Sequence, residues 1–358
     1  MGIRYDSSFR RATNGPVIFF SDSTSEALFA EEVNGAIISG LSFYSYRLPG
    51  DMMITFGSSE SYVEGIGEPG FVIGRFDPEK PVITIPYKGC KCEKGGGTDY
   101  TVPVESTTRE EYIHEVEKYK KILKGYPRGK IVASRVLVRE ASLDLAETFF
   151  DFCKRFPEGY IFCFSTPATG CWIGASPELL LESSGGNLNT MALAGTRKAC
   201  SEGPWDEKNI EEQRIVADFI IKTLKKSGLE PSEGVTFDKM TGYIQHICTP
   251  IIASLHDRNF NLIELIKKLS PTPALCGSPK EIALQAIKET EKQSRGCYGG
   301  FCGPYHSLSD FSFNVVLRCI SVSQDRYCAY AGGGITIQSD PASEWLETQS
   351  KLLNILPE

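Results

Sequence analysis

Apolar positions along this chain recur with two periods, and each change of period marks a new element. Short β-branched and aromatic runs bounded by turn residues predict strands at 17–20, 36–46, 52–56 and 82–85. The Gly-rich stretch 92–98 carries no packing residues and reads as a mobile loop. Ser106-Thr-Thr-Arg-Glu-Glu then supplies a helix start. Behind it Tyr112, Val116, Tyr119, Ile122 and Leu123 share one helical stripe. Further along, the pattern predicts strands at 130–138, 160–164 and 172–181 and helices at 143–156, 206–226, 262–269, 279–290 and 341–356. Residues 311–323 and 327–337 read as a strand pair. Strands and helices do not alternate strictly, which argues against a doubly wound parallel sheet. The expectation is α+β, with helices covering two large antiparallel sheets. Residues 1–105 form a strand-rich part of the same body as residues 106–358.

Composition narrows the class. With 358 residues, 41% hydrophobic and 23% charged, the chain is neither disordered nor collagen-like. Its net charge is −7, and only Lys118, Lys120, Lys121 and Lys124 cluster, at the spacing of a solvated helix face. That is no footprint for nucleic acid. Apolar runs such as 35–41 fall far short of the ~20 residues of a membrane span. The first residues, Met1-Gly-Ile-Arg-Tyr-Asp, lack the apolar core of a signal peptide. Of twelve cysteines, Cys163, Cys248, Cys276 and Cys319 sit in apolar runs, and Cys90-Lys-Cys92 has no histidine nearby to complete a zinc set. A cytoplasmic protein with reduced thiols is expected. Nothing marks an obligate apolar interface, so a monomer fits.

Several polar residues interrupt apolar patterns. Lys130 opens a buried-looking strand, and Glu178 follows Pro177 just before Leu-Leu-Leu. Glu212 shares a helix face with Val216, Phe219 and Ile220. Glu344 and Glu347 lie three apart on the last helix, which Asp340 caps and Pro341 opens. Ahead of that helix, Gly332, Gly333 and Gly334 allow a ligand close to the backbone. Taken singly, each has a plain alternative: Lys130 as a solvated strand end, Glu212 beside Glu211 as a wet helix face, Glu347 with Lys351 as an exposed i,i+4 pair. Together, three carboxylates without sulfur or imidazole would suit a hard cation such as Mg²⁺.

The order of six segments resolves these alternatives. Gly174-Ala-Ser-Pro-Glu178, Ala192-Leu-Ala-Gly-Thr-Arg197, Glu211-Glu-Gln-Arg-Ile-Val-Ala-Asp218, Ser270-Pro-Thr-Pro-Ala-Leu-Cys-Gly277, Arg295-Gly-Cys-Tyr-Gly-Gly300 and the stretch from Gly332 to Glu347 follow one another. This series resembles the chorismate-utilising enzymes: isochorismate, salicylate, anthranilate and aminodeoxychorismate synthases. The resemblance runs from about Ser106 onward. It implies the fold of anthranilate synthase component I, chorismate as substrate and Mg²⁺ as cofactor.

Carried over residue by residue, Glu212 and Glu347 resemble the direct metal ligands and Glu344 a holder of the metal's waters. Arg318 resembles the arginine that clamps a substrate carboxylate. Tyr298, Lys351 and the backbone of Gly332, Gly333 and Gly334 complete the substrate pocket, with His246, Ala194, Gly195 and Thr196 near the ring. Lys130 stands where water-using members have lysine and ammonia-using members glutamine. Ala194 stands where aminodeoxychorismate synthases carry a nucleophilic lysine. Water is therefore the implied nucleophile, and no glutamine amidotransferase subunit is expected. The resemblance is strongest to isochorismate synthase, a source of precursors for quinones, siderophores or salicylate. Salicylate synthase and a catalytically silent chorismate-binding relative are the alternatives. Two departures stand out: Ser270 and Gln213 each replace a histidine usual in the family. On this reading Lys130 is the base. Glu178 is the acid, its pKa raised by burial.

Overall fold

A computed structural model of the chain describes residues 17–19, 23–87, 102–241, 244–255 and 260–357. Among the described residues, two antiparallel sheets carry the fold. The first has nine strands in the order Val17–Phe19, Met53–Ser59, Ser42–Arg47, Tyr160–Thr166, Gly170–Ser176, Cys319–Val322, Tyr327–Ile335, Lys130–Arg139 and Gly277–Ser278. The second has ten. Pro231–Glu233, Ile244–Ser254, Asn187–Lys198, Leu179–Ser184, Asp310–Val315, Phe301–Ser307, Gly70–Gly74, Ile83–Pro86 and Val63–Glu64 follow in order, and Phe237–Thr241 also pairs with Ile244–Ser254. The expected α+β class is observed. Strands from residues 17–86 enter both sheets, three in each.

The main core lies between the sheets. Tyr44, Phe162, Phe164 and Trp172 from the first sheet meet Phe71, Leu181, Phe311 and Phe313 from the second. Tyr44 and Phe71 stack with ring centroids 4.9 Å apart. The strand Tyr160–Thr166 is buried on both faces: Phe162 and Phe164 enter this core, while Ile161 and Cys163 join Phe29, Phe149 and Phe152 under two helices. Those helices are Ser23–Ile38 and Leu145–Arg155.

Among the described residues, the helix start expected at 106–111 and the one expected at Asp340 are both capped, and two further caps were not foreseen. Thr108 and Glu111 form a reciprocal capping box at the helix Arg109–Leu123. Asp144, Asp206 and Asp340 each accept a backbone N–H at the start of the helices Leu145–Arg155, Glu207–Lys226 and Pro341–Leu353.

Three sequence expectations need correction. Residues 36–38 finish a helix rather than start a strand, because Phe29, Val33 and Ala36 bury one helical face. Gly40 (φ +65°) and the Leu41 N–H to Ala36 C=O bond close that helix in a Schellman-type turn. The run 172–181 is two strands, divided at Pro177-Glu178, and each half belongs to a different sheet. The run 311–323 divides likewise at Val316-Leu317-Arg318, so only its second half pairs with Tyr327–Ile335. The two crossings lie side by side: Val315 N–H donates to Glu178 C=O at 3.0 Å and Ala175 N–H to Arg318 C=O at 3.2 Å. Arg318, with φ +47°, is the one non-glycine residue with positive φ among the described residues.

The loop 92–98 and the pair Cys90 and Cys92 lie outside the described residues. Cys163, Cys248, Cys276 and Cys319 are buried free thiols. No helix among the described residues is long and apolar enough to cross a membrane.

Candidate active site

A cavity of about 340 Å³ opens at the two crossings. Every candidate catalytic, substrate-binding and metal residue named from the sequence lines it except Gly333. Lys130, at the first position of its strand, is buried, and its Nζ donates to Glu212 Oε1 from the helix Glu207–Lys226. Its side chain lies over Gly334, where a Cβ would collide with Lys130 Cε. Gly332 plays the same part for Tyr298, whose hydroxyl would sit 2.8 Å from an added Cβ. Gly333, between them, faces the opposite side of the strand toward Glu344 and Tyr112. Alternate glycines thus shape the cavity wall, and the middle one makes room for the last helix. Lys351 Nζ bonds the Gly332 carbonyl at 3.0 Å and Glu347 at 2.8 Å.

Glu178 is the most secluded carboxyl of the site, with 4% of its surface exposed. Its backbone is tied to the Ser176 hydroxyl, and Thr272 Oγ1 donates to its Oε1 at 3.3 Å. Burial pushes its pKa up to about 7, against the opposing pull of that hydrogen bond and of Lys130 and Lys239. The acid state expected from sequence is therefore substantially populated at neutral pH.

Arg318 and His246, which also line the cavity, act as one unit. His246 Nδ1 meets the Gly195 carbonyl at 2.8 Å, and a carbonyl can only accept, so Nδ1 carries the proton. Nε2 is then an acceptor and faces Arg318 Nη2 at 3.2 Å. Burial and the Arg318 charge push the His246 pKa down to about 3, so the ring is neutral at physiological pH. Thr196 Oγ1 lies 3.2 Å from the same Nδ1. Gly195 adopts φ +69° within an irregularity of the strand pairing, and Ala194 precedes it.

As they are placed, no three carboxylate, thiol or imidazole groups among the described residues form a cluster around a metal position. Glu212 engages Lys130, Glu347 engages Lys351, and Glu344 Oε1 accepts from Ser339 Oγ at 2.8 Å. The donor chemistry of the three nonetheless suits a hard cation. All are carboxylates, and all line one cavity.

Sequence reasoning missed three contributors. Asn209 lines the cavity one helical turn before Glu212, and its Oδ1 accepts from Thr196 N–H at 3.3 Å. The three-residue spacing to Glu212 was available as a signal. Thr272 lay inside the quoted Pro-Thr-Pro segment without a role. Arg155, held by Asp151 at 2.7 Å, had no signal beyond its helix. Of the two departures from the family, Gln213 finds a side-chain partner, its Nε2 bonding Thr249 Oγ1 at 2.6 Å, and Ser270 is buried at the end of the helix Leu262–Leu269.

Residues 97–358 match the family described as chorismate binding enzyme. The chain belongs to that family. Over 262 residues, 69% of this chain, it is 30% identical to isochorismate synthase MenF of Bacillus subtilis, covering 55% of that protein. Over 286 residues, 74% of this chain, it is 28% identical to isochorismate synthase DhbC of the same organism, covering 71% of it. The solved structure of MenF, the menaquinone-specific isochorismate synthase of Escherichia coli, superimposes with a TM-score of 0.76 at 20% identity. That superposition spans 97% of this chain and 96% of the other, and the two share a fold.

Proposed function

We propose that the protein converts chorismate to isochorismate, with water attacking ring C2 and the C4 hydroxyl leaving. The observation that carries this reading is the pairing of Lys130 and Glu178 in one cavity, a buried amine and a carboxyl raised to about 7. Water must lose a proton as it attacks, and the departing hydroxyl must gain one. Lys130 takes the first proton and Glu178 supplies the second. Likeness to relatives named as isochorismate synthases supports the same choice.

The rest of the chemistry is orientation. Arg318, with its charge fixed and its Nη2 resting on neutral His246, offers the remaining fork to a substrate carboxylate. Tyr298 and the backbone of Gly332 and Gly334 border the carboxylate end. Ala194, Gly195 and Thr196 border the ring. Glu212, Glu344 and Glu347 would hold Mg²⁺, which when bound supplies positive charge for the ring carboxylate. Glu212 is also the partner of Lys130 in the structure, so the proposed metal set and the proposed base share one carboxylate.

Incubation with chorismate and Mg²⁺, followed by chromatographic identification of the product, tests the proposal. Isochorismate is the expected product. Salicylate would place pyruvate loss in the same cavity, and unchanged chorismate would leave a binding role only.

A further inference from the structure

Glu178 has two carboxyl oxygens in unlike settings. Oε1 accepts from Thr272 Oγ1 at 3.3 Å, whereas no hydrogen bond from a described residue reaches Oε2. Glu178 lines the cavity, and Thr272 does not. Thr272 therefore approaches from behind. It is itself 5% exposed, and its carbonyl accepts the N–H groups of Leu275 at 3.0 Å and Cys276 at 2.8 Å, so the turn that carries it is closed. Ser176 fixes the Glu178 backbone from the other side. Both ends of the contact are thus anchored.

A hydroxyl donating to one oxygen of a carboxyl leaves the proton of the acid form to the other oxygen. It also stabilises the carboxylate that remains once the proton has gone. We propose that Thr272 is a positioning residue for Glu178: it occupies Oε1 from behind and turns Oε2, the proton-bearing oxygen, toward the substrate. The idea rests on the reading of Glu178 as the acid. It adds the group that decides which oxygen delivers the proton and how readily. The other charged groups acting on Glu178 are Lys130 and Lys239, both of which also favour its ionised form.

The test uses the full chain with Thr272→Val, which keeps the shape and removes the hydroxyl, and Thr272→Ser, which restores it. Carbon-13 NMR of the Glu178 carboxyl in substrate-free protein reads the titration directly, and the pH profile of kcat reads its consequence. Thr272→Val should raise the titration midpoint by about one pH unit and carry the basic limb of kcat upward with it. It should lower kcat about tenfold with KM within twofold, and Thr272→Ser should return both toward wild type. An unmoved midpoint in Thr272→Val overturns the proposal. A moved midpoint with an unmoved kcat limb supports the hydrogen bond but overturns the acid role beneath it. Thr272→Ala repeats the measurement if the valine variant does not fold.

Discussion

Two carboxyls that line the cavity stand in opposite conditions, and their exposure defines a dry end and a rim. Glu178 sits at the dry end, 4% exposed, with a lone hydroxyl donor on one oxygen. Glu347 sits at the rim, its side chain 52% exposed, beside Lys351 one helical turn away. Burial raises Glu178 to about 7, whereas the rim carboxylate keeps both water and a cation for company. Residue type alone does not assign the work. On the proposed assignment, the carboxyl from which the fold withholds solvent and a full counter-charge donates the proton, and the exposed, lysine-paired Glu347 serves the cation. Glu212 stands between the two regimes, half-buried and paired with the proposed base.

The largest effect expected from breaking this arrangement is at Lys130. Lys130→Ala should lower chorismate turnover at least ~100-fold, the low end for a positioned general base. The far-ultraviolet circular dichroism spectrum should be unchanged, since Lys130 caps a strand otherwise held by Tyr327–Ile335. Lys130→Gln should be equally inactive with water. Turnover near the wild-type rate in either variant would remove Lys130 from the mechanism.

Much of this contrast is legible in the sequence, and what is not has a physical reason. Asp340 and the segment 106–111 announce their helices because a cap is local. The Pro-Glu step before Leu-Leu-Leu marks Glu178 as misplaced in an apolar run, and that was enough to single it out. The runs 172–181 and 311–323 read as continuous because apolar residues continue across both breaks, and periodicity does not say which sheet a residue joins. The Lys130–Glu212 pair spans 82 positions, a contact made by tertiary packing alone. Three consecutive glycines look alike in sequence, yet alternation along the strand turns Gly333 to the other face. Which oxygen of Glu178 is occupied depends on a turn almost a hundred residues away.

A second, intermediate effect tests the dry end by stability. A carboxyl whose folded pKa is raised binds its proton more tightly in the folded state than in the unfolded one. Stability is therefore lost as pH rises from about 4.5 to about 7 and stays reduced above that window. The shift corresponds to something on the order of 3 kcal/mol. Glu115, raised to about 8 by burial and by Glu291, adds a loss of the same sign that persists in both proteins compared. Glu178→Gln removes the charge but keeps the shape. It should be inactive, yet more stable than wild type at pH 8 and nearly equal to it at pH 4. Urea unfolding at the two pH values reads the difference, and parallel behaviour of the two proteins would mean that Glu178 is not held proton-rich by the fold.

The smallest effect belongs to the rim, and it separates structure from cation binding. The Glu347–Lys351 pair is a solvent-exposed i,i+4 contact, worth a few tenths of a kcal/mol. Glu347→Gln should therefore leave thermal unfolding almost where it was, and added salt should shrink even that difference. The same variant removes one oxygen-bearing charge from the proposed Mg²⁺ set and should raise the Mg²⁺ concentration needed for half-maximal turnover several-fold. Glu212→Gln should do likewise and also disturb Lys130, lowering turnover at saturating Mg²⁺. Glu178→Asp, which keeps an acid at the dry end, should leave the Mg²⁺ midpoint in place even as its rate falls. Equal displacement of that midpoint in all three variants would mean that the cavity has no division between a proton-donating end and a cation-holding rim, and Glu347 would return to being a solvated helix carboxylate.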